Sequence, residues 1–155
     1  MKHNLYNYKI VEFKVHDGDT LVNCKIDFGM YRFEENVNVR LYGIDTPEVR
    51  RNKSQLFPDL EVEAGKLVAE LLSKFITTSY FDPVLQSVKQ KSKYSSILGI
   101  LYLGNVNIND LLVELKLAYP YTGGKKEKWT KKKLNNCIEK CKDYLSKYNK
   151  DEETT

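Results

Sequence analysis

The chain has 155 residues and a mass of 18.1 kDa, with 41% hydrophobic, 12% aromatic and 30% charged residues. This composition is ordinary for a globular domain and excludes collagen-like, coiled-coil and wholly disordered chains. The formal charge of +4 is unevenly distributed, because residues 125–150 hold ten lysines against three acidic residues, whereas residues 1–124 are balanced.

The first predicted elements are two strands joined by an acidic turn. Residues 5–15 and 20–28 read as strands, and the second alternates apolar and polar side chains as a half-buried strand does. The segment 16–19, His-Asp-Gly-Asp, lies between them, and Asp-Gly is a strong hairpin signal. A third predicted strand at 37–42 runs into the segment 43–48, Gly-Ile-Asp-Thr-Pro-Glu, whose proline keeps the preceding residue out of helical geometry.

The rest of the chain combines helices with two further strands. Apolar residues at three- and four-residue spacing predict an amphipathic helix over residues 59–76. Strands are predicted at 79–88 and 96–103, and the nearly continuous apolar run of the second predicts burial on both faces. A short helix near residues 108–115 and a lysine-rich helix, whose apolar stripe runs through residues 134–145, follow.

The order of these elements predicts the fold class. They do not alternate as strand-helix-strand units, and five short strands with one interposed helix favour an α+β fold, a closed five-stranded OB-type barrel packed by three helices. We expect residues 1–148 to form this single domain, with the basic helix at its C-terminal end. Residues 149–155 are expected to form a disordered acidic tail.

The sequence also indicates where the protein is located and whether its cysteines are reduced. No apolar run approaches the roughly 20 residues that span a bilayer, and the first residues lack the apolar core of a signal peptide. We therefore expect a soluble monomer, cytoplasmic or intracellular by default, without membrane contact. Cys24, Cys137 and Cys141 cannot all pair and are expected to be buried reduced thiols. The spacing of Cys137 and Cys141 leaves a metal pair as the alternative.

Four acidic residues, Asp17, Asp19, Asp45 and Glu48, fall at predicted strand ends or in the turns that follow them. If the hairpin and the third strand are neighbours, Asp19 and Asp45 can converge, and convergent carboxylates favour a cation between them. Because both motifs offer only oxygen ligands, that cation would be Ca²⁺ or Mg²⁺ rather than Zn²⁺. Arg40, on the polar face of its strand, adds a fork donor suited to phosphate. An acid pair, a metal and an arginine together describe a phosphodiester site.

Each feature taken alone also has a structural explanation. Asp-Gly-Asp is common in turns, Asp-Thr-Pro-Glu can cap a helix, and an arginine on a strand is usually a surface charge. His16 could act as a base beside the turn, but Glu48 fits that role better. The lysine-rich helix either attracts a polyanion or is a solvated face.

Taken together, these residues resemble the staphylococcal nuclease family, also called the thermonuclease or SNase-like domain, over roughly residues 8–145. The segments that carry the resemblance are 15–20 (Val-His-Asp-Gly-Asp-Thr), 40–48 (Arg-Leu-Tyr-Gly-Ile-Asp-Thr-Pro-Glu), 93–94 (Lys-Tyr), 106–109 (Val-Asn-Ile-Asn) and 117–121 (Leu-Ala-Tyr-Pro-Tyr). The joint presence and order of the first two is specific. The resemblance implies an OB barrel with three helices and Ca²⁺-dependent hydrolysis of phosphodiester bonds in DNA and RNA.

The resemblance also implies roles by position. The metal ligands of the family correspond here to Asp19, Asp45 and the backbone oxygen of Thr46. Its general base corresponds to Glu48, and the arginine that holds the reacting phosphate corresponds to Arg40. The residues that correspond to its nucleotide contacts are Lys93, Tyr94, Tyr119 and Tyr121. Stacking on aromatic side chains tolerates any base, so the implied enzyme is a non-specific endonuclease.

One position departs from the family pattern. After the Lys-Tyr pair the family usually carries Gly-Arg, and that second arginine stabilises charge on the phosphoryl transition state, whereas this chain has Ser95 and Ser96. By analogy with arginine fingers, the loss could lower the rate by about 10³–10⁵-fold. A catalytically impaired nucleic-acid-binding module is therefore the alternative function, and an interaction domain is a weaker third. The cations that could substitute are Arg50, Arg51, Lys89, Lys91 and Lys93.

Overall fold

The computed structural model describes residues 6–91 and 96–154 of the chain. The strands in this part of the chain are β1 Asn7–Asp17, β2 Thr20–Asp27, β3 Arg32–Leu41, β4 Ile44–Asp45, β5 Pro83–Lys91, β6 Ile97–Leu103, β7 Val106–Asn107 and β8 Tyr119–Pro120. The helices are α1 Pro58–Thr77, α2 Ile108–Glu114 and α3 Lys131–Glu153.

Five of the strands form a closed barrel. Their order is β3-β2-β1-β5-β6, with antiparallel neighbours, and a parallel pairing of β3 with β6 closes the cylinder. Closure satisfies the strand edges that an open sheet would leave unpaired. The predicted fold, a five-stranded OB-type barrel with three helices, is confirmed.

The core fills the barrel and the space between the barrel and the helices. Helix α1 packs against β1 and α3, and its fully buried residues recur at helical spacing: Ala64, Val68, Leu71 and Leu72. Each large aliphatic side chain buried in this way stabilises the fold by about 1.5–3 kcal/mol. The three cysteines are free and buried, as predicted.

Strand β6 differs from the prediction of burial on both faces. Gly99, Leu101 and Leu103 are buried, whereas the side chains between them are only half-buried. The reason is that β6 belongs to a barrel, in which one face of every strand lines the interior and the other lies outside. Helix α2 also contacts β6.

Buried Asn109 fastens β6 to the end of β3. Its side-chain amide donates hydrogen bonds to the carbonyl oxygens of Tyr42 at 2.8 Å and Gly99 at 3.2 Å. Its Oδ1 accepts a hydrogen bond from the N–H of Leu101 at 3.1 Å. These contacts fix the chain immediately before the segment 43–48, which carries candidate site residues.

Helix α3 extends to Glu153, so residues 149–153 are helical, whereas the sequence predicts a disordered tail from residue 149. Contact with another helix stabilises this last turn, because Lys74 Nζ of α1 lies 2.6 Å from Glu152 Oε1. No helix in the described residues combines the length and the apolar character needed to cross a membrane.

Candidate active site

Three segments that are distant in sequence meet around a small group of charged side chains. The β1–β2 turn carries Asp19, the segment after β3 carries Asp45, and the segment between β8 and α3 carries Lys126. Arg40, near the end of β3, contacts both aspartates.

Close backbone approaches hold these segments together. At Gly18 a Cβ would lie 2.5 Å from Val68 Cγ1 of α1 and 2.9 Å from Thr46 Cγ2, so a side chain there would push the β1–β2 turn away from α1 and from the segment 43–48. The carbonyl oxygen of Gly43 accepts a hydrogen bond from the N–H of Tyr121 at 2.7 Å. Close steric fit at Gly18 and a main-chain hydrogen bond, as well as charges, therefore position the three segments.

Asp19 is 3% exposed, and both of its carboxylate oxygens have partners. Thr20 Oγ1 donates to Oδ1 at 2.9 Å, and the N–H of Thr46 donates to Oδ2 at 3.1 Å. Arg40 Nη2 lies 3.2 Å from Oδ2. Burial, followed by repulsion from Asp17, raises the pKa of Asp19 to about 6, although the Arg40 charge opposes this.

Asp45 lies beside Asp19, as we expect from the predicted hairpin. The Arg40 Nη2 that contacts Asp19 is also 3.5 Å from Asp45 Oδ1. Lys126 Nζ lies 2.6 Å from the same oxygen. Burial raises the pKa of Asp45, and the positive charges of Lys126 and Arg40 limit the rise. One buried carboxylate oxygen is therefore flanked by two cations.

Glu48 is half-buried, and its Oε1 lies 3.3 Å from Lys126 Nζ. Its backbone N–H donates to Oε1 of Glu61, a buried residue of α1, at 3.3 Å. Glu48, Asp45 and Lys126 help to line a cavity of about 250 Å³, which is large enough to hold water. His16, the other candidate base, is exposed on β1.

The two tyrosines near β8 have different surroundings. Tyr121 is half-buried, and the centroid of its ring lies 5.8 Å from Lys126 Nζ. Tyr119 is buried, with its ring centroid 4.1 Å from that of Trp129 and 4.4 Å from Lys133 Nζ. Tyr121 therefore lies beside the charged group, whereas neighbouring side chains enclose the ring of Tyr119.

Of the cations that the sequence offers in place of the missing arginine, the structure describes the side chains of Arg50 and Arg51, and neither lies among the contacts of this site. Arg50 and Arg51 are exposed, and Arg51 forms an ion pair with Asp59 of α1. Among the residues that the sequence analysis singles out, Lys89, Lys91, Lys93 and Tyr94 have side chains that lie outside the described part of the chain.

Ser96 is half-buried directly before β6. In the parallel pairing of β3 and β6, Leu98 is the partner of Arg40. Because side chains alternate along a strand, Ser96 extends the face on which Leu98 and Arg40 lie. The residue at this position carries a hydroxyl and no charge.

Two charged residues of the site are absent from the sequence predictions. Lys126 is one of ten lysines in residues 125–150, and no periodicity distinguishes it from the others. Glu61 had a usable signal, because it precedes Ala64 and Val68 by three and seven residues and so lies on the apolar stripe of α1. A carboxylate on such a stripe is expected to be buried and to have a partner.

The donor chemistry of the site fits a hard divalent cation. The Asp19 and Asp45 carboxylates and the backbone carbonyl of Thr46 offer oxygen, which Ca²⁺ and Mg²⁺ prefer. Asp45 Oδ1 and Thr46 Oγ1 are two buried oxygens of the described structure that accept no hydrogen bond. Asp45 Oδ1 has only its ion pairs with Arg40 and Lys126. In that same part of the chain, no three His, Cys, Asp or Glu side chains gather as a metal cluster. A metal here would therefore depend on the backbone oxygen and water besides two carboxylates.

Because Asp19 is buried, we expect the folded protein to lose stability toward unfolding as the pH rises. Since its pKa is raised from the ordinary 3.8 to about 6, the folded chain binds this proton more tightly than the unfolded chain, and protonation favours folding. In the presence of chelator, the free energy of unfolding should fall across this pH window, relative to an Asp19→Asn variant, by on the order of 3 kcal/mol. Urea unfolding of both proteins measures it, and parallel pH profiles would contradict the prediction.

A comparison with protein-family models matches residues 38–145 to the family described as staphylococcal nuclease homologue. No curated protein matches the chain. The family match spans more than half of the chain and includes Arg40, Asp45 and Glu48. Asp19 lies before the matched range, and the fold brings it into contact with Arg40. The chain therefore belongs to the staphylococcal nuclease family.

Proposed function

We propose that this protein is a Ca²⁺-dependent endonuclease that hydrolyses phosphodiester bonds of DNA and RNA with little sequence specificity. The observation that carries the proposal is the contact of one Arg40 nitrogen with both Asp19, at 3.2 Å, and Asp45, at 3.5 Å. A phosphate-binding group thereby lies next to a pair of carboxylates that can hold a cation. Family membership supports the same reaction class.

The proposed ligands of Ca²⁺, with Mg²⁺ as the second choice, are Asp19, Asp45 and the backbone oxygen of Thr46. When bound, such an ion offsets the negative charge of the reacting phosphate. Without a cation these carboxylates would repel a nucleic acid. A chain that only bound nucleic acid would lose affinity by placing them beside Arg40, which favours catalysis over simple binding.

Glu48 is the proposed general base. It accepts a proton from the water that attacks phosphorus, while Arg40 holds the non-bridging oxygens. The new bond joins the water oxygen to phosphorus, the bond from phosphorus to the departing sugar oxygen breaks, and that oxygen takes a proton from solvent. The half-buried position of Glu48 at the wall of a cavity supports this role.

The proposed contacts with the rest of the substrate do not distinguish one nucleotide sequence from another. We propose that Tyr121, whose ring lies beside Lys126, meets a sugar or a base, and that the lysines of α3 attract the polyanion at longer range. The further nucleotide contacts proposed by position are Lys93 and Tyr94, whereas Tyr119, whose ring Trp129 and Lys133 enclose, is not proposed to stack on a base.

A second candidate function is a catalytically impaired module that binds nucleic acid. The observation that favours it is Ser96, which extends the Arg40 face of β6 without bringing the charge usual in the family. Such a module would use Arg40, Tyr121 and the lysines of α3 for binding alone.

Incubation of the purified protein with single-stranded DNA and RNA, in CaCl₂ or in excess chelator, tests the proposal. We expect fragments of both polymers with Ca²⁺ and intact polymers with chelator, because the carboxylate pair needs a cation to accept a phosphate. Retarded but uncut nucleic acid with a steep dependence on salt would favour the binding module. Cleavage that persists in chelator would overturn the metal requirement.

A further inference from the structure

Lys126 reaches the carboxylates from the segment between β8 and α3. Its Nζ lies 2.6 Å from Asp45 Oδ1 and 3.3 Å from Glu48 Oε1. The side chain is 42% exposed, so the ammonium contacts the acids while still facing solvent. A ligand that enters from solvent can therefore meet this charge directly.

The segment that carries Lys126 is anchored at both ends. At its start, the N–H of Tyr121 donates to the carbonyl oxygen of Gly43 at 2.7 Å. At its end, Trp129 is 4% exposed and packs against the ring of Tyr119. These anchors keep the backbone next to the site, and the long stem of Lys126 leaves its ammonium free to move over a few ångströms.

Lys126 and Arg40 flank the same atom, because Asp45 Oδ1 lies 2.6 Å from Lys126 Nζ and 3.5 Å from Arg40 Nη2. A phosphate presents several oxygens, so two cations that reach one carboxylate oxygen are close enough to share one phosphate. Charge-assisted hydrogen bonds to a carboxylate and to a phosphate are of similar kind, so an incoming phosphate can compete for the ammonium.

We propose that Lys126 is the second phosphate-binding cation of this site and supplies the charge that Ser96 lacks. This inference rests on the proposed nuclease function. It explains how a member of the family can carry a hydroxyl at position 96 and still have two cations beside the paired acids. Lysine delivers a point charge on a flexible stem, so it supports a non-specific site without the fixed fork of a second arginine.

The test compares Lys126→Met with Lys66→Met, which removes the same charge from an exposed position on α1. With saturating CaCl₂, we expect Lys126→Met to cleave single-stranded DNA about 10²–10³-fold more slowly than wild type, as when one transition-state donor is removed. Binding of thymidine 5′-phosphate, measured by calorimetry, should weaken by about tenfold. Lys66→Met should match wild type in both measurements, and Lys126→Arg should retain more activity than Lys126→Met.

Ser96→Arg provides a second, independent measurement. If Lys126 already supplies the second charge, an arginine at position 96 should raise the cleavage rate much more in the Lys126→Met background than in wild type. Circular dichroism confirms that each variant is folded. Equal gains in the two backgrounds would mean that the two positions act separately, which would overturn the proposal.

The outcomes separate this inference from the proposed function. Cleavage by Lys126→Met at the rate of Lys66→Met would overturn the role of Lys126 and leave the nuclease function intact. Faster cleavage would also overturn it, because Lys126 would then be a competitor for the Asp45 oxygen. If the wild-type protein cuts no nucleic acid but binds thymidine 5′-phosphate more tightly than Lys126→Met does, the nuclease function is refuted. The role of Lys126 as a phosphate-binding cation is then supported.

Discussion

Glu48→Gln is expected to lower Ca²⁺-dependent cleavage of single-stranded DNA by about 10²–10⁴-fold, which is the usual contribution of a positioned general base. The amide has nearly the same shape as the carboxylate but cannot accept the proton of the attacking water. The contact that anchors this turn survives, because it joins the backbone N–H of residue 48 to Glu61. Initial rates at saturating CaCl₂ measure the effect, and calorimetry should show that thymidine 5′-phosphate still binds.

The matched control is Glu70→Gln, which removes the same charge from an exposed position on α1. Its cleavage rate should equal that of wild type. A Glu48→Gln variant that cleaves at the wild-type rate would contradict the assignment of the base and would direct attention to His16. Lys126 remains paired with Asp45 in this variant, so a slow rate could not be attributed to loss of that lysine from the site.

The contacts of Arg40 with Asp19 and Asp45 could be anticipated, because short-range sequence signals specify the hairpin and the strand that carry these residues. The Asp-Gly turn sets the β1–β2 hairpin, and the alternation of β3 selects the side chains of its polar face. Once β2 and β3 pair, the register places Thr20 opposite Arg40, one residue from Asp19. Local chemistry therefore brings Arg40 to the acidic turn before any long-range packing is considered.

Long-range packing decides the features that the sequence patterns do not reveal. Lys126 is positioned by Tyr121 and Trp129, whose partners lie elsewhere in the chain, so no pattern around the lysine itself predicts its contact with Asp45. The enclosure of Tyr119 by Trp129 is of the same kind. Composition identifies an aromatic residue there, but only the fold determines whether its ring is free to stack on a base.

The structure differs from the sequence predictions in two further features, the burial of β6 and the helical end of α3, and both come from packing. Whether an apolar run such as β6 is covered on one face or on two depends on how far helices extend over the barrel, which its own residues do not encode. The last turn of α3 appears polar and frayed in sequence, yet the ion pair between Lys74 and Glu152 joins residues 78 positions apart. Sequence patterns indicate which face of a strand or helix is apolar. The tertiary neighbours of that element determine how many of its faces are covered and where it ends.

Arg40→Ala is expected to slow cleavage by about 10³–10⁵-fold, the range found when the arginine that stabilises a phosphoryl transition state is lost. The variant should also be less stable in chelator, because Asp19 stays buried without its cation. We expect a loss of about 1–3 kcal/mol in the free energy of unfolding, less than for a fully buried pair, since Arg40 is 28% exposed. Urea unfolding and initial cleavage rates measure the two effects separately.

Two further variants distinguish phosphate binding from a purely structural role of this arginine. Arg40→Lys keeps the charge but loses the fork, so it should recover stability more than activity. Arg50→Ala removes a guanidinium from an exposed position and should change neither. Calcium should raise the melting temperature of Arg40→Ala more than that of wild type, because the ion then neutralises carboxylates that Arg40 no longer contacts. A folded Arg40→Ala protein that cleaves at the wild-type rate would instead show that Lys126 suffices and that Arg40 serves only to neutralise the buried acids.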